Sequence, residues 1–474
     1  MTIGCDIAII GGGIAGYTAA IRAAQAGKKV VIVEREKLGG TCLHRGCIPS
    51  KALLRSADVY ATMRKAEMFG VQVDGTVSLD FPKVQQRKNS TVESLYKGLQ
   101  YLMRKHDITV VQGTGTVIGP SIFSPKSGSV AVEFPDGDMD TVVPAHLIIA
   151  TGSRPRMLKG LEPLAGQIMS SDEALEMDRL PKSMLIIGGG VIGVEWASML
   201  IDFGIEVTLV ESASRLLPGE DVDASAELAK QLRRRGVRIL TGIQLKLETY
   251  TYSDGQAAIT ADTADGPVIL NAERVLVSVG RQGNVENIGL ENTDVRVEKG
   301  AIKVNAYFQT NEPHIYAIGD VNGGLQLAHA AAHEGLVAVD HILGGKEQAP
   351  DHARIPRAIY SKPEIASIGL TEDEASKQGH PVKIGKVPFQ AIGKAQVLGE
   401  PEGFAKVIAD AKTNDVLGVH IVGPHATDLL SEASLAMLLN ATPWEVSQVI
   451  HPHPTLSEAI GEAMLAIDGK SLVF

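Results

Sequence analysis

A glycine-rich strand-to-helix turn occurs twice in this chain of 474 residues, and it restricts the possible folds more than any other feature. Residues 11–16 read Gly-Gly-Gly-Ile-Ala-Gly and residues 188–193 read Gly-Gly-Gly-Val-Ile-Gly, each after a continuous apolar run. In both copies a second apolar run ends on an acid, Glu34 or Glu211, at the same offset from the first glycine. This arrangement is typical of parallel strands joined by a crossover helix. The sequence therefore predicts two α/β dinucleotide-binding units.

Three glycines of the first turn are each required for a physical reason. Gly11 permits the tight turn, Gly13 lets the backbone approach a pyrophosphate, and Gly16 lets the helix pack closely. The helix N-terminus attracts the anion, and Glu34 can accept a hydrogen bond from a ribose 2′-hydroxyl. The corresponding cofactor-binding residues predicted in the second copy are Gly188, Gly190, Val191, Ile192, Gly193 and Glu211.

The acid of the second copy also bears on which nicotinamide nucleotide binds there. A carboxylate at Glu211 repels a 2′-phosphate, so the second copy favours NAD over NADP. Arg215 lies four residues further on and is interpreted as a surface charge.

Composition and charge exclude several classes of protein. With 44% hydrophobic residues, 50 glycines and 4% aromatics, the chain is expected to fold compactly into several domains. A net charge of −10 argues against nucleic-acid binding, which needs a basic surface. Glycines and charges interrupt the apolar stretches before they reach the roughly 20 residues of a membrane span. Because the N-terminus leads into an apolar strand without a presequence pattern, we expect a cytoplasmic protein.

Two of the three cysteines lie close together, just after the first nucleotide unit. Cys42 and Cys47 flank Leu43-His44-Arg45-Gly46, whereas Cys5 opens a predicted buried strand and is interpreted as a small apolar residue. A bond between Cys42 and Cys47 would close too short a loop to stabilise the chain much, so it is interpreted as redox-active. Inert buried thiols or two metal ligands are the alternatives, although two sulfurs without a neighbouring Cys/His pair make a poor zinc site.

Further turns are predicted to complete the nucleotide sites. A strand at 142–150 leads to Thr151-Gly152-Ser153, which can return to the first nucleotide, and Gly280-Arg281 is the expected counterpart for the second. A short strand from 315 ends at Asp320, which is placed to hold a polyol or ribityl chain. From 354 onward the pattern predicts a separate α+β unit that serves association.

Taken together, these motifs resemble the FAD-dependent pyridine nucleotide-disulfide oxidoreductases over essentially the whole chain. The features are the two nucleotide units, the Cys-x4-Cys pair, Gly319-Asp320, and the terminal His451-Pro-His453-Pro-Thr-Leu-Ser-Glu458. Within that family the motifs are most similar to the branch that oxidises dihydrolipoamide. The resemblance implies two Rossmann-like domains, for FAD and NAD, and a C-terminal α+β dimerisation domain. The predicted boundaries are 1–152 (FAD and redox disulfide), 153–279 (NAD), 280–350 (central) and 351–474 (dimerisation).

The resemblance also implies catalytic roles. Cys42 is the expected exchange thiol for lipoyl sulfur, and Cys47 the thiolate that faces the flavin. His453 of the partner subunit is the expected base, oriented by Glu458.

A lysine and a glutamate are assigned to the flavin by the same resemblance. Lys51 is expected beside the flavin and pairs with Glu195, although an ordinary interdomain salt bridge is an alternative. His329 and Glu334 lie in a segment that resembles a helix beside the flavin, where a structural role and a functional one are both open. The remaining predicted cofactor-binding residues are Gly40, Thr41, Gly115 and Ala328.

One departure from the family pattern concerns the redox loop. His44-Arg45 stands where Asn-Val is common, and two cationic side chains there should favour thiolates. The sequence therefore predicts lowered pKa values for the two thiols.

The function expected from these residues is an oxidoreductase that takes part in cell redox homeostasis. Dihydrolipoamide reduces the Cys42–Cys47 disulfide, the electrons pass to FAD, and NAD⁺ becomes NADH. The expected partners are a second copy of the chain, a lipoyl domain, and the basic subunit-binding domain of a 2-oxoacid dehydrogenase or glycine-cleavage complex. The alternatives are an NADPH-dependent reductase of the glutathione-reductase type, a mainly architectural docking protein, and a flavin peroxidase or oxidase.

Overall fold

The computed structural model describes residues 2–120, 126–164, 166–264 and 266–474. Among them the α-helices are α1 (Ile14–Gln25), α2 (Gly40–Arg45), α3 (Cys47–Arg64), α4 (Phe81–Lys105), α5 (Ser171–Leu175), α6 (Val191–Asp202), α7 (Val222–Arg234), α8 (Ala328–Ile342), α9 (Glu372–Lys377), α10 (Gly393–Leu398), α11 (Ala426–Leu438), α12 (Pro443–Ser447) and α13 (Glu458–Ala466). Short 3-10 turns cover Ala66–Phe69, Leu290–Asn292, Gly319–Asn322, His352–Arg354 and Phe389–Ala391.

The β-strands alternate with these helices in the nucleotide-motif regions and cluster elsewhere. They are β1 (Thr2–Ile10), β2 (Val30–Glu34), β3 (Thr109–Gln112), β4 (Thr114–Ile118), β5 (Ser129–Glu133), β6 (Met139–Ile149), β7 (Ser153–Pro155), β8 (Ile168–Met169), β9 (Ser183–Ile187), β10 (Glu206–Glu211), β11 (Arg238–Thr241), β12 (Gln244–Ser253), β13 (Gln256–Thr263), β14 (Gly266–Ala272), β15 (Arg274–Val277), β16 (Arg281–Gly283), β17 (Val297–Glu298), β18 (Ala301–Ile302), β19 (Ile315–Ala317), β20 (Arg357–Ile359), β21 (Glu364–Gly369), β22 (Val382–Pro388), β23 (Phe404–Asp410) and β24 (Val416–Gly423).

The chain divides into two compact units, of which the first comprises Met1–Leu53, Asp80–Arg156 and Gly280–Pro350. Its sheet has the parallel order β3-β2-β1-β6, and β19 pairs in parallel with the end of β6. The hairpin β4-β5 extends the sheet antiparallel from the start of β6. Residues 7–10 of β1 and 30–33 of β2 are all buried, so these stretches read as continuous apolar runs, as buried parallel strands do. Helices α1 and α8 pack together beside this sheet.

The second compact unit comprises Leu54–Leu79, Met157–Val279 and Asp351–Phe474. It contains a second parallel sheet of order β11-β10-β9-β15-β8, in which strand β9 leads into the second glycine-rich turn. It also contains a three-stranded antiparallel sheet of order β12-β13-β14. Its third sheet is antiparallel, in the order β20-β21-β24-β23-β22, and its core includes residues of α11, α12 and α13. The predicted fold class, two Rossmann-like α/β sheets with a C-terminal α+β part, is confirmed. The four domain boundaries stay a prediction.

Among the described residues, none of the helices combines the length and the apolar character that crossing a lipid bilayer requires.

A buried lysine in β23 organises one region of the second compact unit. The Lys406 side chain is fully buried, and its Nζ lies 3.1 Å from Asp221 Oδ1, 3.0 Å from Asp223 Oδ2 and 2.8 Å from Glu372 Oε2. Burial alone would lower the pKa of Lys406, but the hydrogen bond that it donates to Glu372 and the charge of Asp221 outweigh burial and raise the pKa. Lys406 therefore stays charged and holds the first turns of α7 and α9 against the strand.

We expect Lys406→Met to lower the free energy of unfolding by about 3–5 kcal/mol, because the variant leaves the buried Asp221 carboxylate without its ion-pair partner. Chemical denaturation of the purified variant measures this change. Lys383→Met is the matched control, since Lys383 lies on neighbouring β22 in a half-exposed pair with Asp468 and should cost at most about 1 kcal/mol. Equal losses of unfolding free energy in the two variants would contradict the role given to Lys406.

Candidate active site

The two glycine-rich turns have the same geometry, one in each compact unit. Gly11 has φ +104° and Gly188 has φ +111°, a region that favours glycine. A Cβ at Gly16 would overlap the carbonyl oxygen of Gly11, and a Cβ at Gly193 would overlap that of Gly188. Each helix therefore lies against its own turn at a distance that glycine alone permits.

The acid at the end of the second strand has the same partners in both copies. Glu34 Oε2 accepts a hydrogen bond from Gly12 N at 2.7 Å, and Glu211 Oε2 accepts one from Gly189 N at 2.6 Å. The other oxygen accepts from the backbone N–H two residues further on, at Glu36 and at Ala213. Each carboxylate thus supports the turn while keeping lone pairs for a ribose hydroxyl.

The start of each helix suits a pyrophosphate. Gly13 and Gly190 occupy the N-cap positions of α1 and α6, and neither helix has a side-chain cap hydrogen bond. The first N–H groups of both helices are therefore available to bind an anion, and neither first turn carries an acidic residue that would repel one. These residues fit a dinucleotide in both copies.

Arg215 does not present a free guanidinium beside Glu211. Its NH1 donates to Leu217 O and Glu220 O, and its NH2 donates to Pro218 O. The arginine is committed to closing this loop, so it does not compensate the repulsion between Glu211 and a 2′-phosphate.

Predicted flavin residues cluster around Asp320 in the first compact unit. Ser153 Oγ donates to Asp320 Oδ2, and Arg281 Nε donates to the same Ser153 oxygen at 2.8 Å. Thr151 Oγ1 donates to Asn284 O at 2.8 Å, and the Asn284 side chain returns a bond to Thr151 O. Neighbouring Gly152 accepts from Asn284 N.

The assignment of Gly280 and Arg281 to the second nucleotide stays a prediction. Strand β16 pairs with β7, so Arg281 lies opposite Pro155 within the first compact unit. The sequence did not reveal this because the apolar strand β15, which precedes Gly280, does belong to the second parallel sheet, and the chain leaves that sheet at Gly280.

The redox segment is attached to the first glycine-rich turn. Gly39 N donates to Gly12 O at 2.8 Å, and a Cβ at Gly40 would lie 2.7 Å from Gly13 Cα. Gly40 also has φ +56°, so both its conformation and its surroundings exclude a side chain. Thr41 and Cys42 both lie in α2. Two further residues predicted to bind the cofactor lie elsewhere: Gly115 is in β4 against the Val33 side chain, and Ala328 is the first residue of α8.

Cys42 and Cys47 are both half-buried, and a hydrogen bond joins their side chains. The hydrogen bond with Cys47 raises the pKa of Cys42 well above its ordinary value, and burial and the Cys47 charge act in the same direction. The positive charge of Lys51 opposes this rise. Cys47 and Lys51 are one turn apart at the start of α3, which explains why that lysine reaches the pair.

The prediction that His44 and Arg45 lower the pKa of the thiols is wrong for Cys42. His44 Nε2 donates to Leu38 O at 2.8 Å, and the Arg45 guanidinium forms an ion pair with Glu36. Both side chains are thus directed toward the loop after β2. Their sequence position inside the redox loop did not show which way they point.

Glu195 is buried in α6 and accepts a hydrogen bond from Tyr360 N at 2.9 Å. Its predicted pairing with Lys51 stays a prediction.

The predicted histidine and glutamate near the C-terminus do form a pair. His453 Nδ1 lies 2.8 Å from Glu458 Oε1, and Thr455 N donates to the other carboxylate oxygen at 2.8 Å. Burial would raise the pKa of Glu458, but the hydrogen bonds from His453 and Thr455 leave it below its ordinary value. Glu458 therefore stays ionised near neutral pH and accepts the hydrogen bond from His453 Nδ1, which leaves Nε2 as the ring nitrogen directed away from this pair.

Two residues that the sequence analysis left undecided or unassigned also have clear partners. His451 Nε2 lies 2.8 Å from Glu432 Oε1, which anchors the loop that carries His453. Glu334 is buried in α8, and burial, with the charge of Asp320, raises its pKa to about 7 against the hydrogen bonds that it accepts. An acid within the apolar face of an Ala-rich helix is the signal by which such a residue could be found.

Comparison with known proteins places the chain in a family. Residues 5–335 match the family model "Pyridine nucleotide-disulphide oxidoreductase", and residues 355–464 match the dimerisation domain of the same family. The chain therefore belongs to the pyridine nucleotide-disulphide oxidoreductases.

Within that family the similar proteins share one description. The chain is 57% identical over 470 residues to dihydrolipoyl dehydrogenase of Bacillus subtilis, covering 99% of both sequences. It is 42% identical to dihydrolipoyl dehydrogenase of Rhizobium etli, covering 98% of both. Among solved structures, LpdA from Mycobacterium tuberculosis aligns with TM-score 0.89 at 26% identity, covering 97% of this chain and 99% of that one. The HOCl-induced flavoprotein disulfide reductase RclA from Escherichia coli aligns with TM-score 0.85 at 28% identity, with the same coverage.

Proposed function

We propose that this protein oxidises dihydrolipoyl groups to lipoyl groups and reduces NAD⁺ to NADH, with FAD as its bound cofactor. The observation that carries the proposal is the Cys42–Cys47 pair, attached to the first of two dinucleotide turns. The full-length similarity to dihydrolipoyl dehydrogenases supports the same activity.

FAD is assigned to the first glycine-rich turn and NAD to the second. Asp320 and the redox helix α2 lie in the same compact unit as the first turn, which supports the flavin assignment. When bound, FAD accepts an electron pair from a dithiol and delivers it as hydride to NAD⁺. The tie between Gly39 and Gly12 keeps the cysteines at a fixed position relative to the turn that binds the cofactor.

Thiol exchange is the task of the cysteines and the histidine. With Cys42 and Cys47 joined as a disulfide, a substrate thiolate attacks the Cys42 sulfur, and the bond between Cys42 and Cys47 breaks to leave Cys47 as a thiolate. The second substrate thiol then attacks the substrate sulfur that is bonded to Cys42 and displaces the Cys42 sulfur. The substrate leaves as the cyclic lipoyl disulfide. His453 takes a thiol proton, and Glu458 stabilises the resulting imidazolium. Overall, a dihydrolipoyl group and NAD⁺ give a lipoyl group, NADH and a proton.

The raised pKa of Cys42 is consistent with this cycle. In the dithiol state the raised pKa keeps Cys42 protonated, and the hydrogen bond joins its thiol to Cys47. Lys51 supplies the nearby positive charge that opposes the rise.

A homodimer is the assembly that residues 355–464 support, since they match the family's dimerisation domain. Large apolar side chains are exposed between α11 and the His453 loop, at Leu435, Leu438, Leu439, Trp444, Val449 and Ile450. A cluster of this kind marks an interaction surface. The His453 side chain is 78% exposed, which suits a base that acts on a substrate held by the other subunit.

The finer assignments follow from the proposed chemistry. A lipoyl domain is the proposed physiological substrate, and the core of a 2-oxoacid dehydrogenase or glycine-cleavage complex is the proposed partner. The net charge of −10 suits a basic docking domain. A cytoplasmic location remains a prediction.

The experiment is a turnover assay of the flavin-loaded protein with dihydrolipoamide, using NAD⁺ and NADP⁺ in parallel. We expect NAD⁺ to be reduced with a kcat/KM at least about 100-fold higher than NADP⁺, because Glu211 repels the 2′-phosphate and Arg215 is committed to loop carbonyls. Oxidation of NADPH by glutathione disulfide, without turnover of dihydrolipoamide, would instead identify a reductase of the glutathione-reductase type.

A further inference from the structure

Glu334 is a buried acid that the proposed reaction does not use. It lies in the middle of α8 with 6% of its surface exposed. Its Oε2 accepts two hydrogen bonds, from Gly319 N at 2.6 Å and from Asn322 Nδ2 at 2.7 Å. These two donors are the first and last residues of the 3-10 turn Gly319–Asn322. The carboxylate therefore holds both ends of one short turn.

Asp320 occupies that turn between the two donors. Because the turn is four residues long, its ends fix the direction in which the Asp320 side chain leaves the backbone. The Asp320 carboxylate is held a second time, by the hydroxyl of Ser153, which itself accepts from Arg281 Nε. Glu334 thus fixes the backbone of Asp320, and Ser153 fixes its side chain.

Close packing prevents the turn from moving independently. Gly335 lies against α1, where an added Cβ would stand 2.9 Å from Ala15 O. Gly319 has φ +72°, and a Cβ there would lie 3.2 Å from the Ala15 side chain. Ala15 belongs to the first glycine-rich turn, so α8, the Asp320 turn and the proposed pyrophosphate site meet at one place.

Burying a carboxylate here is unfavourable, and burial is the main reason that its pKa is raised to about 7. A leucine of similar volume would avoid the penalty if packing were the purpose of this position. Only a polar group can accept the N–H of Gly319 and the amide of Asn322, so the requirement comes from the turn.

We propose that Glu334 is a positioning residue for the flavin: by holding both ends of the 319–322 turn, it directs the Asp320 carboxylate toward the ribityl hydroxyls of FAD. The inference rests on the proposed role of Asp320 as the flavin-binding acid. In the proposed role Glu334 contacts neither the substrate nor the reacting atoms, and it affects how tightly FAD is retained.

The test measures flavin release from the purified, flavin-loaded protein, followed as the rise in free-flavin fluorescence, in four variants. Glu334→Ala should release FAD about 10-fold faster or more, because both hydrogen bonds that hold the ends of the turn are lost. Glu334→Gln should stay within about threefold of the unsubstituted protein, because the amide oxygen can accept both bonds. Asp320→Ala should release FAD at least as fast as Glu334→Ala. Asp340→Asn, on the same helix, is the control and should change nothing.

The outcomes separate the inference from the function on which it rests. If Asp320→Ala releases FAD rapidly while Glu334→Ala behaves like the unsubstituted protein, Asp320 keeps its role and the inference about Glu334 is wrong. If Asp320→Ala retains FAD, the flavin assignment itself fails and takes the inference with it. Equal loss in Glu334→Ala and Glu334→Gln, with a lower unfolding temperature in both, would show a general packing defect and overturn the positioning role.

Discussion

Replacing either Cys42 or Cys47 with serine is expected to reduce dihydrolipoamide-dependent NAD⁺ reduction by at least about 1,000-fold. Serine cannot form the disulfide, and loss of a covalent nucleophile has effects of this size or larger in other enzymes. The measurement is steady-state NADH formation by flavin-loaded protein at matched flavin concentration.

A control cysteine and a second readout make this prediction specific. Cys5 is partly buried in β1, and burial raises its pKa to about 11, so the thiol is protonated and unreactive at neutral pH. Cys5→Ser should therefore keep full turnover. Reduction of the flavin by NADH, seen as loss of flavin absorbance, should persist in all three variants, because hydride transfer to flavin does not need a disulfide. Turnover that survives in both Cys42→Ser and Cys47→Ser would rule out the proposed cycle.

Replacing His453 with glutamine should lower kcat for dihydrolipoamide oxidation by about 100- to 10,000-fold, the range for removal of a general base. The substitution removes the Nε2 atom that accepts the thiol proton while keeping a side chain able to bond with Glu458. Flavin content and NADH-dependent flavin reduction should stay unchanged, which separates a lost base from a lost cofactor.

The controls for this substitution come from the same part of the chain. His425 is exposed at the start of α11, and its Nδ1 lies 3.7 Å from an exposed aspartate, so His425→Gln should leave kcat within about twofold. Glu458→Gln should have an intermediate effect, because the amide still orients the imidazole but no longer stabilises its charge. Full activity of His453→Gln would mean that another group accepts the proton.

Much of the fold was predictable from the sequence because its strongest signals are local. The two glycine-rich turns, the apolar runs before them and the acids after them lie within short stretches, and the structure reproduces their geometry twice. The His453–Glu458 pair was predictable for the same reason, since five residues of chain link its members.

The directions and partners of side chains were harder to predict from the sequence. His44 and Arg45 were expected to act on the thiols, yet they contact Leu38 and Glu36 instead. The hydrogen bond from Arg281 Nε to Ser153, more than 120 positions earlier in the chain, was not visible in the sequence either. In both cases the residue types indicated charge or hydrogen bonding, and the partner depended on how the folded chain packs.

The sequence by itself thus determined the class of the fold, the two nucleotide turns and the cysteine pair, because each is encoded by residue types at fixed short spacing. The tertiary structure decided the electrostatics: that Cys42 has a raised pKa beside Cys47, that Lys51 opposes the rise, and that Glu334 is buried behind the Asp320 turn. A pKa depends on burial and on the charges within a few ångströms, and both are properties of the packed chain.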